Sequence, residues 1–184
     1  MPGNWLTLIL LFLSPLLHAG ELLNSFVNEI DEHYILQLDM RIDGDYDAVY
    51  EVLIDFNHLD QVNKTITSSQ LLESNDKIHT VQFMSNGCVW IICQDVNQVV
   101  IVTELGNGFI MSETLPDLSD IRYGRTLWQV IDEGDSTRIK YYSDLIPDFW
   151  IPPFMGSSIL QDRMLEEGIK TINGIERIIN EEFE

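Results

Sequence analysis

The sequence predicts an α+β domain, and three features carry that prediction. A run of short strands separated by polar turns fills the middle of the chain, one short helix precedes it, and a long amphipathic helix closes it. The length, 184 residues, suits one domain, and a composition that is 45% hydrophobic and 10% aromatic supports a packed core and excludes a disordered chain.

His33 to Ile42 alternates, with Tyr34, Leu36, Leu38, Met40 and Ile42 on one face and Ile35, Gln37, Asp39 and Arg41 on the other. That is the period of a half-buried strand. Ahead of it, Leu22 to Ile30 reads as a short helix or an irregular lead-in. Asp43-Gly44-Asp45 is a turn with a helix cap, and Ala48, Val49, Val52, Leu53 and Phe56 follow at helical spacing, ending near Asn57-His58. The strands that follow are Ile66–Leu72, Lys77–Ser85, Val89–Gln94, Val99–Leu105, Gly108–Thr114, Gly124–Asp132 and Ser136–Ser143. Turn signals separate them at Ser74-Asn75-Asp76, Ser85-Asn86-Gly87, Gly106-Asn107-Gly108 and Glu133-Gly134-Asp135. Connections this short imply antiparallel hairpins, because parallel strands need long crossovers. The pattern leaves open which strands between Val89 and Thr114 fuse or bend. Both faces of Val89–Gln94 and Val99–Leu105 are largely apolar, which predicts cover on both sides of the sheet.

Pro147, Pro152 and Pro153 end the strand region. From about Phe154 to Glu182 the apolar positions Ile159, Leu160, Met164, Ile169, Ile172, Ile175, Ile178 and Ile179 fall at helical spacing. Gly168 and Gly174 interrupt that helix, each at a cost of about 1 kcal/mol relative to Ala. They either leave room beneath the helix or are exposed positions or a kink.

The N-terminus suggests export. Leu6 to Leu17 is apolar except for Thr7, Ser14 and Pro15, and His18-Ala19-Gly20 follows before the first charge, Glu21. A run of about twelve residues is too short to span a bilayer and fits the apolar core of a secretory signal. Met1 to Trp5 carries no Lys or Arg, and Leu17 stands three residues before a cut after Ala19, so an uncleaved anchor or a first helix of the domain stays open. The expected organisation is a signal peptide over 1–19 and a single domain over 20–184, with a mature chain beginning at Gly20 or Glu21. Asn63-Lys64-Thr65 is a glycosylation sequon, which matters only in a eukaryotic secretory path.

Charge and cysteines narrow the partners. Thirty Asp and Glu face ten Lys and Arg, a net charge of −20, so nucleic acid and anionic membrane surfaces are poor partners and a solvated exterior is the ordinary explanation. Cys88 and Cys93 lie in the predicted strand Val89–Gln94 or at its edge. An odd separation along one straight strand puts them on opposite faces roughly 16 Å apart, too far for a disulfide, so two free, buried thiols are expected. Nothing in the sequence calls for a metal or a cofactor.

Several segments resemble the START-like helix-grip (SRPBCC) superfamily, which includes polyketide cyclase/dehydrase, lipid-transport and coenzyme Q-binding-like branches. Asp45-Tyr-Asp-Ala-Val-Tyr-Glu-Val-Leu-Ile-Asp-Phe-Asn-His-Leu59 is similar to the first helix of such domains, ending in Leu-x-Asp-aromatic. Gly124-Arg-Thr-Leu-Trp-Gln-Val and Ser136-Thr-Arg-Ile-Lys-Tyr-Tyr resemble their final hairpin, and Ile146-Pro-Asp-Phe-Trp-Ile-Pro-Pro-Phe154 resembles the proline-rich lead-in to their last helix. The resemblance covers about Tyr34 to Ile179. It implies a helix-grip fold, a curved antiparallel sheet wrapped around the long C-terminal helix, with a cavity between them for a lipid, isoprenoid or similar molecule. It also favours a bacterial periplasmic setting, with secretion from another cell as the alternative.

The residues expected to line that cavity or its mouth are Trp90, Trp128, Tyr141, Trp150 and Phe154, with Gly168 leaving room and Arg125 and His79 as polar contacts. Core packing also accounts for each aromatic. Asp55, Glu104, Glu113, Arg122 and Arg125 form either a head-group site or ordinary surface ion pairs, and the excess of carboxylates favours the surface. His58 is read as a helix-end residue that suits the dipole. Trp150 to Met155 is a lid or a docking patch for a transient membrane or protein contact. The function expected is a carrier or sensor of a hydrophobic small molecule outside the cytoplasm. The alternatives are a cyclase or dehydratase using His79, Glu113 or Arg125, and a protein-interaction module.

Overall fold

In chain order the elements are β1 (Glu21–Ile30), β2 (His33–Ile42), α1 (Tyr46–Ile54), α2 (Leu59–Val62), β3 (Ile66–Asn75), β4 (Ile78–Val89), β5 (Ile92–Gly106), β6 (Phe109–Thr114), β7 (Ile121–Asp132), β8 (Thr137–Pro147) and α3 (Ser157–Glu181). They come from a computed structural model that describes residues 20–89, 92–149 and 157–181. The expected signal peptide, Trp90 and the segment Trp150 to Met155 lie outside those residues.

The strands form one curved antiparallel sheet in the order β1-β2-β8-β7-β6-β5-β4-β3, and α3 is the long helix it grips. Alternation decides which face is which. Tyr34, Leu36, Leu38, Met40 and Ile42 of β2 are all buried, and Ile139 of β8 and Val130 of β7 continue the same face. Against it α3 sets Ile172, Ile175 and Ile179, each 2% exposed or less, and α1 adds Val49 and Val52. A second cluster of Phe56, Val81, Val100, Val102 and Ile110 lies under the β4–β6 half of the sheet. Asp45 caps α1 by accepting from the Asp47 amide at 2.8 Å, as the sequence predicts.

Five expectations need correction. Leu22 to Ile30 is a strand, not a helix or an irregular lead-in: it pairs with β2 from Glu21↔Arg41 to Ile30↔His33. The hairpin turn is Asp31-Glu32, both with positive φ (51° and 68°), the primed geometry usually signalled by Asn or Gly. Val89–Gln94 is not a strand of its own, and Ser85-Asn86-Gly87 is not a turn but paired strand within β4, opposite Gln94 to Val96. Val89 pairs with Ile92 and Cys88 with Cys93, so one strand ends and the next begins inside it.

The thiols follow from that register. Cys93 is disulfide-bonded, and Cys88 is the only other cysteine in the chain. Directly opposed residues of an antiparallel pair have Cα atoms about 4.5–5.5 Å apart, inside the range a disulfide needs. Two free thiols were expected because the pair was placed on one straight strand. Lastly, the outer face of β5 is only partly covered: Val99 is buried beneath the Leu115–Ser119 connection, while Ile101 and Leu105 are 36% and 53% exposed.

Candidate ligand-binding cavity

Between the sheet and the helices lies a cavity of about 290 Å³. Its sheet wall is the inner face of β4 to β8: Val81 and Phe83, then Val100 and Val102, then Ile110, Trp128 and Tyr141. Val52 and Leu53 of α1, Phe56, and Leu59 and Val62 of α2 form the opposite wall. Each strand residue here has the parity that faces α3 elsewhere in the sheet, which is why apolar side chains converge. A second space of about 300 Å³ shares Trp128, Tyr141, Ser143, Leu145 and Thr171 with the first and runs under α3 to Leu36, Met164 and Gly168.

Trp128 and Tyr141 line both spaces, ring centroids 4.4 Å apart and tilted by 50°. Burial pushes the Tyr141 phenol above its ordinary value, opposed in part by a hydrogen bond with Ser143, so the ring presents a neutral hydroxyl. Arg125 of the first space and Arg163 and Glu167 of the second are the charged residues in the lining; the remaining polar groups of the first space are neutral. Ser112 and Thr126 hydroxyls face each other at 2.6 Å, the Gln98 amide donates to Thr114 Oγ1 at 2.8 Å, and Asn63 Nδ2 donates to Thr171 Oγ1 at 3.1 Å. Such a lining suits a mainly apolar molecule with a hydroxyl or carbonyl rather than an ion.

Other predicted residues stand apart from this space. Arg125 borders the cavity, but its guanidinium donates to Glu113 at 2.5 Å on the outer side of the sheet, where the two side chains are 53% and 47% exposed. That pair, like Arg122–Glu32 at 2.9 Å, is a surface ion pair. His79 is buried, yet faces a polar knot beside the cavity: its ring packs on Phe56, Nδ1 lies 3.0 Å from Ser74 Oγ and Nε2 lies 3.0 Å from Glu104 Oε1. Tyr50 completes the knot by donating to Glu104 Oε2 at 2.8 Å, and burial followed by the Glu104 contact pushes its phenol well above the usual range. His58 bonds to Asp55 Oδ2 at 2.7 Å on the surface.

Gly168 lines the second space, but it is not a vacancy: a β-carbon there would overlap Leu38 Cδ1. At Gly174 a β-carbon would overlap the Val62 carbonyl, so the glycine sets the α2–α3 approach. Neither residue is the exposed kink the sequence left open. Asn63 is buried in the same contact, its amide nitrogen donating to the Glu167 carbonyl and carboxylate as well as to Thr171. Burial alone would raise Glu167; hydrogen bonds from Lys170, Thr65 and Asn63 outweigh it and hold that carboxyl below the usual range. With its nitrogen committed in this way, the sequon asparagine has no place for a glycan in the folded chain.

Sequence reasoning missed Gln98, Ser112, Thr126 and the Tyr50–Glu104–His79 knot. The signal was available in part: Thr126 shares the parity of Trp128, and Gln98 that of Val100 and Val102. Among the described residues no helix is long and apolar enough to cross a membrane, and no group of His, Cys, Asp and Glu is placed to hold a metal.

No protein-family model and no curated protein matches the chain. Solved structures do. A START superfamily protein from Mycobacterium smegmatis is similar at a TM-score of 0.63 and 15% identity, over 78% of this chain and 98% of its own. A STAR-related lipid transfer protein from Xanthomonas axonopodis gives 0.61 at 16% identity, over 85% and 98%. The Zhui aromatase/cyclase from a Streptomyces species gives 0.65 at 9% identity, over 83% and 96%. With eight antiparallel strands closed on a C-terminal helix and these structures superposing on most of it, the chain has the START-like helix-grip fold.

Proposed function

We propose that this protein is a non-enzymatic carrier or sensor of an apolar small molecule, acting outside the cytoplasm. The observation that carries the reading is the cavity of about 290 Å³, with a second space of similar size that shares Trp128 and Tyr141 in its lining. Apolar burial at about 25 cal/mol per Å² supplies affinity, and the Ser112, Thr126 and Gln98 groups orient one polar end of the ligand. The likeness to a STAR-related lipid transfer protein favours a lipid-like ligand.

A cyclase or dehydratase would need a proton-transfer group inside the cavity. The groups nominated for that role are engaged elsewhere: Glu113 with Arg125 on the outer face, and His79 with Glu104. The location rests on the leader-like first nineteen residues and gains support from the Cys93 disulfide, which persists in oxidising compartments. Native mass spectrometry of protein purified from its own host tests the reading. The expected spectrum carries an extra apolar mass that leaves on denaturation; an unliganded spectrum from several gentle preparations would count against a carrier.

A further inference from the structure

Glu176 of α3 is a carboxylate that the cavity does not use. It is 7% exposed, and the partners its oxygens have are backbone amides: Gly20 N at 2.5 Å from Oε2 and Asp43 N at 3.3 Å from Oε1. Among the described residues no Lys, Arg or His side chain forms an ion pair with it. A buried charge without a countercharge is costly, and in a chain of net charge −20 every carboxylate nearby adds to the cost. The nitrogen that meets it most closely belongs to the glycine at which the apolar leader ends.

We propose that Glu176 is the receptor for the α-ammonium of Gly20, created when the chain is cut after Ala19. The cut is a hydrolysis by a leader endopeptidase. Water adds across the Ala19–Gly20 amide and the C–N bond breaks. The oxygen leaves on Ala19 as a carboxylate, and the Gly20 nitrogen takes the protons to become –NH₃⁺. That nitrogen already lies at the distance of a charge-assisted hydrogen bond. Cleavage therefore turns a lone buried carboxylate into a buried ion pair fastening the start of β1 to α3. Glycine lets the nitrogen approach this closely: a β-carbon would stand 2.6 Å from Glu176 Oε1 and 2.7 Å from Ile172 Cγ2, and both side chains would have to shift. The proposal rests on the export reading and sharpens it, placing the cut before Gly20 and not before Glu21.

Protein exported by its own host is sequenced from the N-terminus, and its melting temperature is compared with that of Glu176→Gln. Both are repeated in a chain with one Ser inserted between Ala19 and Gly20, so that Gly20 keeps a peptide nitrogen. The expected result is a Gly20 terminus and a fall of roughly 10 °C for Glu176→Gln, shrinking to a few degrees in the Ser-extended chain. Should Glu176→Gln not fold, an aldehyde reagent selective for N-terminal amines decides on the unmutated protein. The native Gly20 amine reacts at least about tenfold more slowly than that of the Ser-extended chain if it is docked. An exported protein beginning elsewhere, equal falls in both chains, or equal labelling overturns the ammonium receptor and leaves export standing. An intact Met1 in a soluble cytoplasmic fraction overturns both.

Discussion

Gly174 is the residue at which one atom decides the packing of two helices. Alanine there gains up to about 1 kcal/mol of helix propensity but sets its β-carbon on the Val62 carbonyl, backbone that cannot swing aside. Gly174→Ala is therefore expected to lose about 1–3 kcal/mol of stability in a thermal or urea melt. Gly168→Ala loses less, since the obstructing atom is the tip of the Leu38 side chain. The sequence shows both glycines but not their partners, which come from elements far away in the chain. The same limit applies to charge. Asp39 is held below the ordinary carboxylate range, first by the hydrogen bonds from Arg138, both at 2.7 Å, with partial burial opposing. A depressed folded-state pKa contributes stability above the unfolded value and loses it as pH falls through the folded one. Asp39→Asn should thus cost up to ~1 kcal/mol at pH 7, with the difference from the unmutated protein shrinking in a pH-melt series as pH falls through the depressed Asp39 pKa.

At the level of elements, the two hairpins that the sequence hid are the instructive ones. The β3–β4 and β5–β6 turns carry Asn75-Asp76 and Gly106-Asn107-Gly108, with positive φ at Asp76 and through the second triplet, and both are legible. The β1–β2 turn uses Asp31-Glu32 in that same region without glycine, so β1 is read as a lead-in. β4 ends at Val89 and β5 begins at Ile92, within the apolar stretch Val-Trp-Ile-Ile, which carries no turn residue, so the sequence reads both thiols on one strand. The disulfide gives a direct check. Intact mass after denaturing alkylation should show no labels without reductant and two with it. Cys93→Ser should cost about 2 kcal/mol or less, since the loop it releases is short. Two labels without reductant would restore the single-strand reading. The long helix is the opposite case: its isoleucine spacing places Ile172, Ile175 and Ile179 on the buried face, and the structure does the same, with Ile169 of that series exposed.

For the whole molecule, order and alternation made antiparallel strands and a long final helix legible, while the closing of the sheet on that helix was what the family resemblance implied. The cavity was legible only as an implication of that fold: Trp128 and Tyr141 stand in its wall, while its neutral polar lining needed the register of β5 to β7. The central claim is that the space is used by an apolar ligand. Val100, a buried side chain in the cavity wall, offers the most direct test, because phenylalanine there adds bulk where the ligand is expected to lie. Uptake of a fluorescent fatty acid is measured for the unmutated protein and for Val100→Phe, each with its melting temperature. The account predicts saturable uptake by the first and at least about tenfold weaker uptake by the second, with melting temperatures within about 3 °C of each other. Equal uptake by both proteins, or none by the unmutated one across fatty acid and isoprenoid probes, would contradict it.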